Sequence, residues 1–217
     1  MKRLAVFCLA CAFVVLTGGA LIELGPAAID LRGQVAAQLA ASGVSHPVTA
    51  VLLNFRGYDT LLEVAVLLIA LLAILAVTDK PPAAPVPAHP LLQAVARGAT
   101  PAMILVAVYL LWAGAHRPGG AFQAGAVLAA AAVLLHLVGL LPGWGAPGLR
   151  LRLGLTAGFA LFLALAAALL SQGALLQYPP AAAGTLILVI EAGLTVSLGL
   201  ILAGLFLFLS RDEGGET

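Results

Sequence analysis

Residues Ala183–Leu209 read AGTLILVIEAGLTVSLGLILAGLFLFL. A helix of this length rises about 40 Å, more than the roughly 30 Å hydrocarbon core of a bilayer. Glu191 is the one ionisable side chain in the run. A stretch so long and so poor in charge is a membrane span, and it sets the solvent in which the rest of the chain is read. The whole sequence agrees with it. Of 217 residues, 63 % are hydrophobic and 9 % charged, and the mean hydropathy is +1.14. A soluble domain carries about 25 % charged residues. An ordinary soluble enzyme, a nucleic-acid binder and a disordered chain are therefore excluded. The net charge of +1 gives no bulk attraction to an acidic partner, and two cysteines are too few for a disulfide framework.

The stretches 4–22, 61–77, 101–115, 121–141 and 151–170 are the other candidate spans. The stretch 101–115 is short and borrows from 91–100, which holds one charge, Arg97. Lys2 and Arg3 ahead of 4–22 also suit a secretory leader, with Thr17-Gly18-Gly19-Ala20 as a cleavage site. The apolar run exceeds the roughly 7–15 residues of a leader, so a retained helix is expected. The expected fold is all-α: a polytopic membrane protein with about six transmembrane helices.

Lysine and arginine set the orientation. With the N-terminus in the cytoplasm, Lys2, Arg3, Lys80, Arg97, Arg150, Arg152 and Arg211 lie inside, and Arg32, Arg56 and Arg117 lie outside. Both termini are expected on the cytoplasmic side of the cell inner membrane. The segment 79–90, DKPPAAPVPAHP, is rich in proline, which cannot continue a helix and favours extended backbone. It is expected to be a cytoplasmic linker between a two-helix unit (1–78) and a four-helix unit (91–217). Residues 23–46 do not span; 29–39 has apolar residues at helical spacing and is expected to lie flat at the membrane surface.

Ionisable groups in hydrocarbon cost about 2–3 kcal/mol or more each, so each needs an account. Glu191 lies eight residues into its span, some 12 Å deep at about 1.5 Å per residue. Thr195 is one turn on, and Gly193 and Ser197 let another helix approach closely. Two readings fit Glu191: a proton or sodium carboxylate in a polar path, or a protonated side chain joining two helices by a hydrogen bond. His136 follows a small-residue stripe of Ala121, Gly125, Ala129 and Ala132, which favours a packing histidine over a proton relay. Asp59 and Glu63, four apart in NFRGYDTLLE, share a helical face. Thr60-x-x-Glu63 fits a capping box, acids favour a helix start, and Arg56 is near enough to pair with either acid. An ion-handling role is the sharper alternative.

The turn His116-Arg117-Pro118-Gly119-Gly120-Ala121-Phe122 is charged and runs at once into an apolar helix. It lacks phosphate-loop spacing, so it lines an entrance, contacts a neighbour or simply turns. Cys8 and Cys11 are too few to hold a metal and read as small hydrophobes. Gly154-x-x-x-Gly158 is a helix-packing motif. No Ser/His/Asp set, Cys/His pair or metal cluster is visible, so no catalytic, cofactor or metal site is expected and the chain is not read as an enzyme. The richness in small residues implies neighbouring membrane subunits.

The segment Pro118-Gly119-Gly120-Ala121-Phe122-Gln123-Ala124-Gly125 resembles the PGGGFQGG-like signature of the B subunit of Mrp/Mnh multisubunit sodium/proton antiporters. The last span, IEAGLTVSLGLILAGLFLF, is similar to that subunit's closing helix, and the resemblance covers about 91–209. Separately, VTAVLLNFRGYDTLLE (48–63) resembles the C-terminal region of the large A subunit, which stands alone as an E-type subunit in membrane-bound hydrogenases. The chain thus looks like a fusion of two such subunits. Departures are Ala121 and Ala124, where the family pattern has glycine; alanine costs little there unless the backbone needs positive φ.

The resemblance implies an accessory, path-forming subunit of a complex I-related membrane arm that exchanges protons for sodium or another cation. Its partners would be other membrane subunits, the lipid bilayer, protons and sodium, with no nucleic acid. It implies ion-path roles for Asp59 and Glu63 and, less directly, for Glu191. On the residues alone His136 is a further ion-path candidate, with Arg56, Thr195, His116 and Arg117 as supporting residues. Two alternatives remain open: an equivalent subunit of a hydrogenase-like, redox- or uptake-coupled pump, and a structural scaffold that binds no ion.

Overall fold

The computed structural model describes residues 2–23, 31–77, 88–141, 148–173 and 175–209. Most of the proline-rich segment 79–90, the start of the expected surface helix at 29 and 30, and Arg211 lie outside the described residues. Among the described residues the regular structure is entirely helical. The helices are α1 (Lys2–Glu23), α2 (Leu31–Gln38), α3 (Pro47–Ala50), α4 (Gly57–Val77), α5 (Pro90–Ala113), α6 (Ala121–Leu137), α7 (Leu149–Leu169) and α8 (Ala183–Leu209). Five of them, α1, α4, α5, α7 and α8, are long and apolar enough to cross a membrane, and α6 is a shorter apolar helix. The chain is an all-α polytopic membrane protein with five candidate spanning helices, or six if the bent helix pair Leu31–Ser42 and Pro47–Phe55 is one span.

The chain divides into two compact units, Met1–Gln34 and Val35–Thr217. The first contains α1, whose apolar side chains, Phe7, Leu9, Phe13 and Leu16 among them, are exposed. Cys8 and Cys11 on α1 are free and exposed.

In the second unit α8 is the axis. Ile187, Ile190, Leu194, Leu198 and Ile201 are all buried, so this helix is covered by protein along most of its length. Small residues make that possible. A Cβ on Gly125 of α6 would lie 3.0 Å from the Leu198 Cβ, and one on Gly158 of α7 would lie 2.6 Å from the Ser197 Cβ. The Ser197 hydroxyl donates to the Leu155 carbonyl of α7 at 2.5 Å. The expected packing roles of Gly125, Gly158, Gly193 and Ser197 thus appear as backbone contacts. Leu68, Leu71, Leu155, Ile201 and Phe208 form a separate apolar cluster between α4, α7 and α8.

As expected, the third span takes in 91–100: it is one helix from Pro90, carrying Pro101 inside it. Two other boundaries differ from expectation. The fourth span ends at Leu137, not 141, because Gly139 takes φ +74° and its N–H turns back to the His136 carbonyl at 2.9 Å. The fourth helix in sequence, α4, starts at Gly57, and the capping box does not form: Thr60 is buried in the helix and donates to the Leu52 carbonyl at 2.6 Å.

Candidate functional site

The α5–α6 turn decides the site. α5 ends at Ala113, and the Gly120 N–H folds back to the Leu110 carbonyl at 2.8 Å. Gly120 has φ +108° and ψ −173°, a backbone region open essentially to glycine alone. Of the turn's glycines it is the one with positive φ. Ala121 and Ala124, the two departures from the glycine pattern, open α6 with ordinary helical backbone. Their methyl groups therefore meet no conformational obstacle.

Gly120 has no side chain to cap α6, and Glu191 of α8 takes that role. The Ala121 N–H donates to Glu191 Oε1 at 3.4 Å. The first N–H groups of a helix lack partners and carry a partial positive charge, so a carboxyl oxygen suits that place. Glu191 is 3 % exposed, and its Oε2 is buried with no hydrogen-bond partner. Gly114 and Gly120 leave the space it fills: a Cβ on either would lie 3.3 Å and 2.6 Å from Oε1. The two features singled out in the sequence, the glycine turn and the lone acid of the last span, are thus one structure.

A second layer closes over this turn. The Thr49 hydroxyl donates to the Gly114 carbonyl at 2.5 Å, and the Ser45 and His46 N–H groups donate to the Ala115 carbonyl at 2.9 and 3.1 Å. These bonds satisfy carbonyls left open at the end of α5. The Ser45 hydroxyl meets His116 Nδ1 at 3.0 Å. Gly43, at φ +80°, sits against the start of α8, where a Cβ on it would lie 2.5 Å from the Gly184 nitrogen. After α3 the chain makes a π-helical turn, Val51–Phe55, tied by Thr60 and by the Asn54 amide, which donates to the Ser42 carbonyl at 2.9 Å. The segment before α4 is therefore folded onto the α5–α6 turn by hydrogen bonds from both main chain and side chains.

Between these layers lies a cavity of ≈490 Å³. Its polar lining comes from His46, Thr49, Thr60, Glu63, Gln123 and Glu191, and its walls include Leu52, Val64, Phe122 and Leu194. Glu63 and Glu191 thus share one space. The other sequence candidates fall elsewhere. Asp59 pairs with Arg56 on an exposed surface and does not line the cavity. Thr195 turns its hydroxyl to the Glu191 carbonyl at 2.8 Å, not to its carboxyl group. His116 and Arg117 are exposed, with the His116 ring 6.0 Å from that of Trp112. His136 is buried near the far end of α6, and its Nδ1 has no partner. His46, Thr49 and Gln123 were not singled out in the sequence; the His46-Pro47 pair, with proline at the first helical position, is the signal that marks a helix start there. Among the described residues no group of three or more His, Cys, Asp or Glu is placed to hold a metal ion.

Residues 91–209 match the family model described as a domain related to the MnhB subunit of Na+/H+ antiporter. The chain belongs to the MnhB family. The matched stretch contains the glycine turn, α6 and Glu191, so the cavity floor is MnhB domain, and its roof, from His46 to Glu63, precedes that domain. Two solved structures share the fold. A chain of the membrane-bound sulfane sulfur reductase, an archaeal respiratory membrane complex, superposes with a TM-score of 0.77 at 22 % identity, over 98 % of this chain and 99 % of that one. A chain of the Mrp complex from Dietzia sp. superposes with a TM-score of 0.69 at 22 % identity, over 100 % of this chain and 27 % of that one. No curated protein matches the sequence.

Proposed function

We propose that this MnhB-family chain is an accessory, path-forming membrane subunit of a Mrp-type cation/proton antiporter, and that Glu63 and Glu191 line its part of the ion path. The observation that carries the reading is the shared cavity: an acid buried in an apolar span lines, with a second acid, one largely apolar space that also holds four uncharged or weakly basic polar side chains, His46, Thr49, Thr60 and Gln123. A carboxyl group kept in such a place without an ion pair calls for a role beyond packing. The likeness to a Mrp complex chain supports the companion subunits, and sodium and protons are the ions that fit the family. The lysine and arginine distribution supports a cytoplasmic-membrane location with both termini inside, which puts the cavity toward the outer face. The MnhB-family match and the likeness to a Mrp complex chain support a transport subunit rather than an enzyme.

The fused-subunit reading extends this: 1–78 supplies an A-subunit-like unit, of which residues 46–64 roof the cavity, 79–90 links it to the rest, and 91–217 supplies the floor. A second reading keeps the same path but couples it to a redox unit. It is favoured by the end-to-end superposition on a chain of the sulfane sulfur reductase complex.

The test is cation-dependent proton flux in membrane vesicles carrying the assembled complex. Glu63→Gln and Glu191→Gln should each lower the flux at least several-fold with subunit abundance unchanged. Undiminished flux in both variants would leave the scaffold role in its place.

A further inference from the structure

We propose that Glu191 is a proton site and not a ligand for the transported metal cation. The proposal rests on the ion-path reading and deepens it. The two carboxyl oxygens of Glu191 have different surroundings. Oε1 accepts the Ala121 N–H at the first turn of α6 and is crowded by the Gly120 backbone. Oε2 is buried and unpartnered on a side chain that lines the cavity.

A hard cation is held by several oxygens at once. The main chain at this place offers the opposite: the open groups at the start of α6 are N–H donors, and the helix end carries partial positive charge. The nearby carbonyls already accept bonds, Gly114 from Thr49, Ala115 from Ser45 and His46, and Gly120 from Ala124. The Thr195 hydroxyl is turned to the backbone. On its Oε1 side a cation beside Glu191 would therefore face main-chain N–H donors and the like partial charge of the helix end. A proton needs one free oxygen, and Oε2 provides it. The same N–H groups that repel a cation stabilise the ionised carboxylate, so both states of a proton carrier are accommodated. The other titratable side chains lining the cavity are Glu63, from α4, and His46, from the segment before α3; α6 contributes the uncharged Gln123, and His116 and Arg117 of the turn do not line it.

The test is an infrared pH titration of the assembled complex, with the Glu191 carboxyl band identified by its loss in Glu191→Gln. If that variant fails to assemble, Glu191→Asp, which keeps a carboxyl group and displaces its band, makes the assignment. The titration is run at two sodium chloride concentrations a hundredfold apart, with choline chloride holding ionic strength constant. The band should titrate, and its midpoint should stay in place when sodium is raised. Direct competition would lower the midpoint by up to about two pH units, from the hundredfold change in competitor. That shift, or the lack of any titrating Glu191 band, overturns the proposal and leaves the ion path standing. Undiminished flux in both Glu63→Gln and Glu191→Gln overturns the ion path itself.

Discussion

The Ala121 N–H and the Glu191 Oε1 meet at 3.4 Å, joining two residues seventy apart in sequence. That contact places the start of α6 some 12 Å along α8 from its N-terminal end, at about 1.5 Å per residue. It also accounts for the shortness of α6. A helix of seventeen residues rises about 26 Å, less than a full span, and the segment from Gly43 to Phe55 is hydrogen-bonded to the turn at its start.

Gly120→Ala tests this turn. The added Cβ takes a backbone conformation costing about 1–3 kcal/mol and lies 2.6 Å from Glu191 Oε1. The variant should lower the thermal midpoint of the purified complex and reduce cation-dependent proton flux together. Ala121→Gly, which restores the family's glycine, should leave flux unchanged, because Ala121 already has helical backbone.

Gly158→Ala tests the α7–α8 contact. Its Cβ would lie 2.6 Å from the Ser197 Cβ and 2.7 Å from the Gly193 carbonyl oxygen, backbone that yields poorly. A loss of about 1–3 kcal/mol is expected, as for overpacked cores. Gly98→Ala on α5 is the control, since nothing lies within 4 Å of its Cβ. It should hold or raise the midpoint in the same thermal scan.

Tyr178 sits in the loop before α8, 7 % exposed, and its hydroxyl is buried without a partner. Burial pushes its phenol pKa above the ordinary value, so the neutral form is favoured in the fold. Removing an unsatisfied buried hydroxyl is neutral or stabilising. Tyr178→Phe should therefore keep or raise the thermal midpoint, and a fall would show that the hydroxyl has a partner in the complex.

The Arg56–Asp59 pair is exposed at both ends. Such pairs contribute about 0–1 kcal/mol. Arg56→Gln should leave the thermal midpoint nearly unchanged. Asp59→Asn should do the same, and because Asp59 does not line the cavity its flux should fall less than that of Glu63→Gln.

The spanning helices were legible because apolar length is a local signal: Ala183–Leu209 and 61–77 declare themselves from composition. Gly125, Gly158 and Gly193 were legible as packing positions for the same reason. The meeting of Gly120 with Glu191 was not, since no periodicity relates residues seventy apart. The sequence carried both halves of it, a paired glycine and a lone acid, without the fold that joins them. Thr60 was misread because a capping box is a pattern of types, and here the hydroxyl finds the Leu52 carbonyl of the preceding turn instead. The roof segment was hidden because its stability comes from bonds to Gly114 and Ala115, carbonyls of another helix.

Solvent access at position 191 decides whether Glu191 lies on an ion path. In the assembled complex with Cys8 and Cys11 replaced by serine, Glu191→Cys would be probed with a small charged thiol reagent and with an apolar, lipid-dissolved one. The cavity predicts slow modification by the small aqueous reagent, applied from the outer side, and protection from the lipid-phase reagent. Modification by the lipid-phase reagent alone, or by bulky aqueous reagents as fast as at an exposed surface cysteine, would contradict a buried polar path through Glu191.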